Sequence, residues 1–323
     1  MTPGESVPRY GPADALNYPR FEGIPTFMRL PHVLDLTGVD VAIVGVPFDT
    51  GATYRDGARF GPQAVRTASR LLRPYNPALN VNIFDYLSVI DYSDLPISPG
   101  FIMESFAKIE DGLRPLYEAG VVPIVIGGDH SIVLPELRAA YAAHGTVGLA
   151  HFDSHSDTWD RYWDQKYTHG TPFRRAIEEG LIDPAHSIQV GMRGSIYAAD
   201  DLEEAEQLGL EMITHGEMIE LGMPAVAERV RRRVGSGQTF LSFDIDFIDP
   251  SCAPGTGTPE VGGPLTREAL QLLRGLTGIH FAGFDLVELL PQYDVAELTA
   301  MTGANVIYEF LSLLAVQRSQ QPS

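Results

Sequence analysis

Residues 121–157 read VVPIVIGGDHSIVLPELRAAYAAHGTVGLAHFDSHSD. A β-branched apolar run, Val121–Ile126, ends in Gly127-Gly128-Asp129-His130-Ser131. A helix-like stretch follows, with Pro135 in its first turn and His144 at its end. A second apolar run, Thr146–Phe152, then ends in Asp153-Ser154-His155-Ser156-Asp157. Short apolar runs without alternation are strands buried on both faces, and strand–helix–strand order makes them parallel. Outward from this unit the same order repeats. Val39–Val46, Ser187–Val190, Thr239–Phe243 and His280–Phe284 are further expected strands, with weaker candidates at Val81–Phe84 and Met212–Ile213. Helices are expected over Phe106–Ala119 (kinked at Pro115), Thr171–Glu179, Pro224–Val234 and Thr266–Leu276. The fold class is α/β, a three-layer α-β-α sandwich around a mainly parallel sheet. Residues 1–30, rich in Pro, Gly and Tyr, read as an irregular arm suited to an oligomer contact, and 31–323 as a single catalytic domain without linker or repeat.

Composition narrows the function. The 323 residues carry 23 Lys+Arg against 42 Asp+Glu, a net charge of −19, with 44% hydrophobic residues. The apolar share supports a large core and excludes a disordered chain. Such an acidic balance argues against a nucleic-acid partner and favours metal ions or cationic ligands. The single cysteine, Cys252, precludes an intrachain disulfide and suits a reducing, cytoplasmic setting, and Met1–Tyr10 lacks a signal-peptide pattern. Leu298–Val316 is the most apolar long stretch, but Gly303, Asn305 and Glu309 make it a buried C-terminal helix, so no membrane partner is expected.

Ligands in parallel sheets bind beyond the strands' carboxyl ends. Four such ends here carry acids or histidines: Gly127–Ser131, Asp153–Asp157, Asp244-Ile245-Asp246 with Asp249, and Asp285 with Glu288. Asp153, His155 and Asp157 recur at every second position, so an extended segment points them to one side, and Asp244 and Asp246 share that spacing. With His130 they offer two imidazoles and four carboxylates, enough for two divalent ions if some carboxylates bridge. A nitrogen and oxygen set without thiolate suits Mn²⁺, with Ni²⁺, Co²⁺ or Fe²⁺ next, better than structural Zn²⁺. Two neighbouring ions can deprotonate a shared water at neutral pH, which makes a hydrolase.

Gly127–His130, Asp153–Asp157 and Ser242–Pro250 resemble the three signatures of the ureohydrolases, the arginase and agmatinase superfamily. The likeness extends from Phe48-Asp49 and Gly57–Pro62 to Pro254–Glu260 and Glu288, covering most of residues 20–316. The resemblance implies hydrolysis of a guanidino group to urea and an amine, in a homo-oligomer, a trimer or hexamer. It implies that His130, Asp153, Asp157 and Asp244 hold one ion and His155, Asp153, Asp244 and Asp246 the other, with Asp153 and Asp244 bridging. Asp157 would take a hydrogen bond from the attacking hydroxide, Glu288 would pair with the guanidinium, and His169 would shuttle protons.

Substrate choice belongs to the surrounding loops. Both tryptophans, Trp159 and Trp163, lie between Asp157 and His169, among Asp160, Arg161, Tyr162, Asp164 and Lys166. Arginases place small polar residues there, so Trp159 points away from arginine and toward the agmatinase-like branch. Trp159 or Trp163, with Asp160 or Asp164, suits a cationic tail such as agmatine's. Arg161, Lys166 or Arg193 suits a carboxylate tail such as that of 4-guanidinobutyrate or 3-guanidinopropionate. Glu260 is a further substrate-binding candidate, or else orients a metal ligand or binds backbone. Agmatine is the first expectation and a guanidino acid the alternative; a catalytically silent subunit of a ureohydrolase assembly is a third. Gly255-Thr256-Gly257 lacks the lysine of a phosphate loop, Cys252 reads as a small loop residue, and Arg231-Arg232-Arg233 as a solvated helix face.

Overall fold

A computed structural model describes residues 9–198 and 200–320. Eight strands form one sheet: β1 (Val41–Gly45), β2 (Val89–Asp94), β3 (Val122–Ile126), β4 (Val147–Phe152), β5 (Ile182–Met192), β6 (Glu211–Thr214), β7 (Gln238–Asp244) and β8 (His280–Val287). Their order across the sheet is β2-β1-β3-β8-β7-β4-β5-β6, and every pairing is parallel. The six stronger expected strands are all present. Met212–Ile213 lies in β6, whereas Val81–Phe84 splits between a two-stranded hairpin with residues 75–76 and a single helical turn, Ile83–Tyr86.

Alternation along the strands builds the two outer layers. On β1, Val41 and Ile43 face a core shared with α1 (Gly61–Ser69), α7 (Met223–Val234), α8 (Thr266–Arg274) and α9 (Leu298–Ser319). Ala42 and Val44 face the opposite core, against α2 (Ile102–Glu118), α3 (Val133–His144) and α4 (Pro172–Glu178). Two short helices, α5 (Asp201–Gln207) and α6 (His215–Leu221), flank β6. Helix α9 is long and apolar enough to cross a membrane, yet 83% of its most apolar window is buried, as expected for a core helix. Pro115 lies inside α2, near its end, and Pro135 sits in the first turn of α3. At the N-terminal side Phe27, Met28 and Leu30 are fully buried, so the domain's core begins a few residues before 31. Arg231 and Arg233 do not form a solvated face: Arg231 reaches the Gly275 carbonyl, and Arg233 donates to the carbonyls of Ser187, Pro184 and Gly209. They fasten α7 to neighbouring loops.

Register decides where the site forms. Ile126 pairs with Leu286, Leu286 with Phe243, and Phe243 with Phe152. The four central strands β3, β8, β7 and β4 therefore end at one level, and the acidic segments after them emerge side by side.

The core also encloses polar residues, one of them on α3. Glu136 on α3 is 1% exposed, and neither carboxyl oxygen has a partner among the described residues. Burial first, and Asp285 second, push its pKa well above the ordinary carboxyl range, so it is held protonated. Unpaired buried polar groups cost about 1–3 kcal/mol. Glu136→Leu is therefore expected to stabilise the fold by roughly that amount, read as a higher unfolding midpoint in denaturant. A lower midpoint would mean that Glu136 is satisfied by ordered water.

Candidate metal centre and active site

The His130 side chain fixes the character of the site. It is fully buried, and its Nε2 lies 2.8 Å from Ser242 Oγ. Ser242 Oγ donates onward to Asp285, at 2.8 and 3.0 Å to the two carboxylate oxygens. The serine proton is thus committed, so the serine accepts from Nε2–H and leaves a lone pair on Nδ1. That Nδ1 has no hydrogen-bond partner and faces Asp153 Oδ2 at 3.1 Å, Asp157 Oδ2 at 3.0 Å and Asp244 Oδ2 at 3.4 Å. A lone pair among three carboxylate oxygens is a donor set for a cation.

A second group adjoins it. His155 Nδ1 lies 3.1 Å from Asp246 Oδ2 and 3.4 Å from Asp153 Oδ1. Asp153, His155 and Asp246 bring ligand atoms within 4.8 Å of one another, as do His130, His151 and Asp153. Asp153 presents one oxygen to each histidine, and Asp246 N–H donates to Asp244 Oδ1 at 2.8 Å. All six residues expected as ligands are thus drawn into one buried cluster, and their nitrogen and oxygen donors fit divalent cations.

Without cations the site is electrostatically frustrated. Burial raises Asp244 well above the ordinary range, and repulsion from Asp246 and Asp153 raises it further; burial also lifts Asp246. Burial acts the same way on Asp153, but the His130, His151 and His155 bonds outweigh it and hold Asp153 well below that range. Burial opposes charge on His130, yet the adjacent carboxylates of Asp153, Asp157 and Asp244 carry its pKa well upward. For His155, Asp246 and Asp153 do the same. The metal-free protein thus holds protons where ions would sit. Loading divalent ions near pH 7 is expected to release about two protons per chain, and affinity falls as pH falls. Calorimetry in buffers of different ionisation enthalpy measures this; loading without proton release would contradict it.

His151 has a role the sequence reading missed. Gln189 Nε2 donates to the Ser156 carbonyl and also meets His151 Nδ1 at 2.9 Å, so the His151 proton sits on Nε2 and is donated to Asp153 Oδ2 at 2.8 Å. His151 positions a carboxylate; its place two residues before Asp153 on β4 was the available signal.

The 46–57 loop closes the side. Gly128 lies so near the Phe48 carbonyl that a Cβ would approach it to 2.2 Å, which explains glycine there. Asp129 accepts from Gly51 N–H at 2.6 Å, and Asp49 holds Gly57 N–H at 2.9 Å. The loop thereby brings Thr53 to His169, whose Nε2 lies 2.6 Å from the Thr53 hydroxyl and 3.1 Å from the Thr53 backbone nitrogen. His169 Nδ1 is 2.8 Å from Glu288 Oε1. Burial disfavours charge on His169, but Glu288, Asp157 and Asp129 prevail and raise its pKa to about 9. Glu288 Oε1 also accepts from His130 N–H at 2.9 Å, while its Oε2 is buried and free of partners among the described residues. Oε2 abuts Gly257, where a Cβ would come within 3.1 Å. Asp157 and Glu288 both hold left-handed backbone, φ 51° and 61°, a strain typical of functional positions.

A cavity of about 380 Å³ opens over the cluster. Its floor includes His155, Asp157, Asp244 and His169, and its walls Trp159, Tyr162, Tyr197, Ser195, Thr258 and Glu260. Trp159 and Glu260 line it as expected, but Trp163 does not. Trp163 is 71% exposed on an outer rim with Tyr54 and Arg161. Arg193 is also absent from the walls. Its guanidinium donates to the backbone carbonyls of Gly191, Asp246, Phe247 and Glu260, so it braces the metal-side loop and has no free face for a substrate carboxylate. Asp160 is paired with Arg161 and Arg175, and Asp160, Asp164 and Lys166 lie outside the walls. Tyr197, Ser195 and Thr53 carry no sequence signal for their places.

Residues 39–312 match the family model described as the arginase family. The chain belongs to the arginase family. Among family relatives, the guanidinopropionase of Pseudomonas aeruginosa is 48% identical over 305 residues, covering 94% of this chain and 96% of that protein. The proclavaminate amidinohydrolase structure from Streptomyces clavuligerus superimposes with a TM-score of 0.89 at 40% identity, covering 93% of this chain and 99% of the other. A Trypanosoma cruzi formiminoglutamase, solved with Mn²⁺, shares the arginase-family fold at a TM-score of 0.78 and 27% identity, over 88% and 95% of the two chains. The His/Asp cluster at the ends of β3, β4 and β7 is the metal-binding cluster of this arginase-family chain.

Proposed function

We propose that this chain is a binuclear-metal amidinohydrolase that cleaves agmatine to putrescine and urea. Hydrolysis of a carbon–nitrogen bond in a linear amidine follows from membership of the arginase family. The observation carrying the metal-dependent reading is the His130 Nδ1 lone pair among the oxygens of Asp153, Asp157 and Asp244. In this proposal His130, Asp153, Asp157 and Asp244 hold one ion and His155, Asp153, Asp244 and Asp246 the other. The ions are Mn²⁺, with Ni²⁺ or Co²⁺ as replacements. Bound there, they supply a water deprotonated near neutral pH.

The chain's own residues do the rest. Asp157, beneath the cavity, accepts a hydrogen bond from the attacking hydroxide. The free Glu288 Oε2 receives the guanidinium and fixes its plane, a charge-assisted contact. His169, between Glu288 and the cavity, delivers a proton to the departing amine. The tail points outward past Trp159, Tyr162 and Tyr197, whose rings pack edge to face at 5.9–6.3 Å, centroid to centroid, into one aromatic wall. No Lys or Arg lines this inner cavity, while Glu260 does. Aromatic faces and a carboxylate favour a primary ammonium tail over a carboxylate tail.

A guanidino-acid substrate is the second reading, favoured by the 48% identity to a guanidinopropionase. Urea release by the manganese-loaded protein from agmatine, 3-guanidinopropionate, 4-guanidinobutyrate and L-arginine separates the two. Agmatine is expected to have the highest kcat/KM. A guanidino acid standing above it would replace the substrate and keep the reaction. No urea from any of them, with two ions bound, would refute the reaction and leave a catalytically silent subunit.

A further inference from the structure

Outside the metal cluster, a group of arginines at the junction of the N-terminal segment and α1 has no ion-pair partner among the described residues. Arg29 is 9% exposed, and its Nε and Nη1 are enclosed and meet no acceptor among the described residues. Arg20 Nε is likewise enclosed and unpartnered. Burial of an unpaired guanidinium is among the costliest arrangements a chain can keep. The conformation is nevertheless imposed. Met28 and Arg29 both adopt left-handed backbone, φ 50° and 62°. The turn is pinned by Phe27 N–H to Asp91 at 2.8 Å and Met28 N–H to Ser69 at 2.8 Å.

Arg29 lines two adjoining cavities. The larger, about 500 Å³, is also bordered by Arg20, Arg73, Asn82, Leu72 and Phe84. Asp14 is the acid on that wall, but its oxygens are taken by Leu16 N–H at 2.9 Å and the Asn17 amide at 2.5 Å. Arg70, which faces Arg29, is bound to the carbonyls of Arg20 and Glu22. Glu22 and His32 border the smaller cavity, about 360 Å³. Three guanidinium groups against one engaged carboxylate make this an isolated positive pocket in a chain of net charge −19.

We propose that this pocket is an oxyanion site, in which Arg29, Arg20 and Arg73 bind a carboxylate or tetrahedral oxyanion. The anion is either free in solution or the carboxylate of a second copy of this chain. The exposed apolar residues Leu16, Phe21 and Ile24 flank the same segment, so a second copy would also cover apolar surface. An anion there would satisfy the enclosed donors by charge-assisted bonds and lock the N-terminal segment onto α1.

The test uses sulfate as probe on the metal-loaded full chain. The unfolding midpoint and sedimentation are followed against sulfate at constant ionic strength, for wild type, Arg29→Met and Arg20→Gln. A free-anion site predicts a saturable rise of about 2–4 °C in wild type, lost in Arg29→Met and weakened in Arg20→Gln. A second-copy carboxylate predicts instead that Arg20→Gln lowers the subunit count of the assembly. Arg20→Gln alone decides should Arg29→Met fail to fold. Identical sulfate responses and identical sedimentation in wild type and Arg20→Gln would overturn the proposal.

Discussion

Asp153→Asn is expected to leave the chain folded, to reduce bound divalent metal from two ions to at most one, and to lower urea release by about 10³-fold or more. Asp153 is the one carboxylate that faces both histidines, through Oδ2 to His130 at 3.1 Å and Oδ1 to His155 at 3.4 Å. Oδ2 also accepts from His151 at 2.8 Å, and Oδ1 from the His155 N–H at 2.6 Å. An amide there removes a negative charge from between two cations. It also turns a donor toward either His151 Nε2–H or the His155 N–H, where only an acceptor fits. Metal content by mass spectrometry and steady-state urea release are the readouts. Two ions retained with turnover near wild type would refute Asp153 as the shared ligand.

Glu288→Gln gives a different pattern. Both ions stay, because Glu288 meets the cluster through the His130 backbone N–H and His169, not through the proposed ligand atoms. The free Oε2 is replaced or reoriented, and the guanidinium loses its charged partner. Losing one member of a buried charge pair costs about 3–5 kcal/mol, or roughly 10²–10⁴ in kcat/KM. An unchanged kcat/KM with both ions bound would move guanidinium recognition elsewhere, with Glu260 the carboxylate on the cavity wall that stands outside the proposed ligand set.

The central part of this site was legible because burial and chemistry abut in the chain. An apolar run followed at once by Asp or His marks a buried strand delivering a polar group to the sheet's end. Four such junctions identified β3, β4, β7 and β8. Strand β2 escaped notice because Val89–Asp94 contains Asp91, Ser93 and Asp94, and its polar content reflects a salt bridge from Arg66 to Asp91 at 2.9 Å that no local pattern announces. Arg193 is misplaced for the same reason: its four carbonyl partners come from separate segments, the end of β5 at Gly191, the helical turn at 246–247 and the loop at 260. Trp159 and Trp163 stand four residues apart, yet one lines the cavity and the other points to solvent. Trp163 and Asp164 adopt left-handed backbone, φ 47° and 61°, at the tip of a turn closed by Tyr162 and Gln165, and this carries Trp163 away from the cavity. Sequence spacing carries direction only while the backbone stays regular.

The position of β8 has a consequence for how the chain comes together. It is the last strand in sequence, yet it occupies the slot between β3 and β7. During synthesis, β2-β1-β3 and β7-β4-β5-β6 can each form, but as two half-sheets with bare edges facing a gap. Only when residues 280–287 emerge can the halves be stitched together, and only then does Glu288 reach His130 and His169. Assembly is therefore governed by long-range parallel pairing, which is slow and leaves open strand edges prone to misassociation. A chain truncated before residue 280 would lack the keystone strand itself, and point lesions in β8 should reduce the yield of soluble protein more than equal lesions in the edge strand β6.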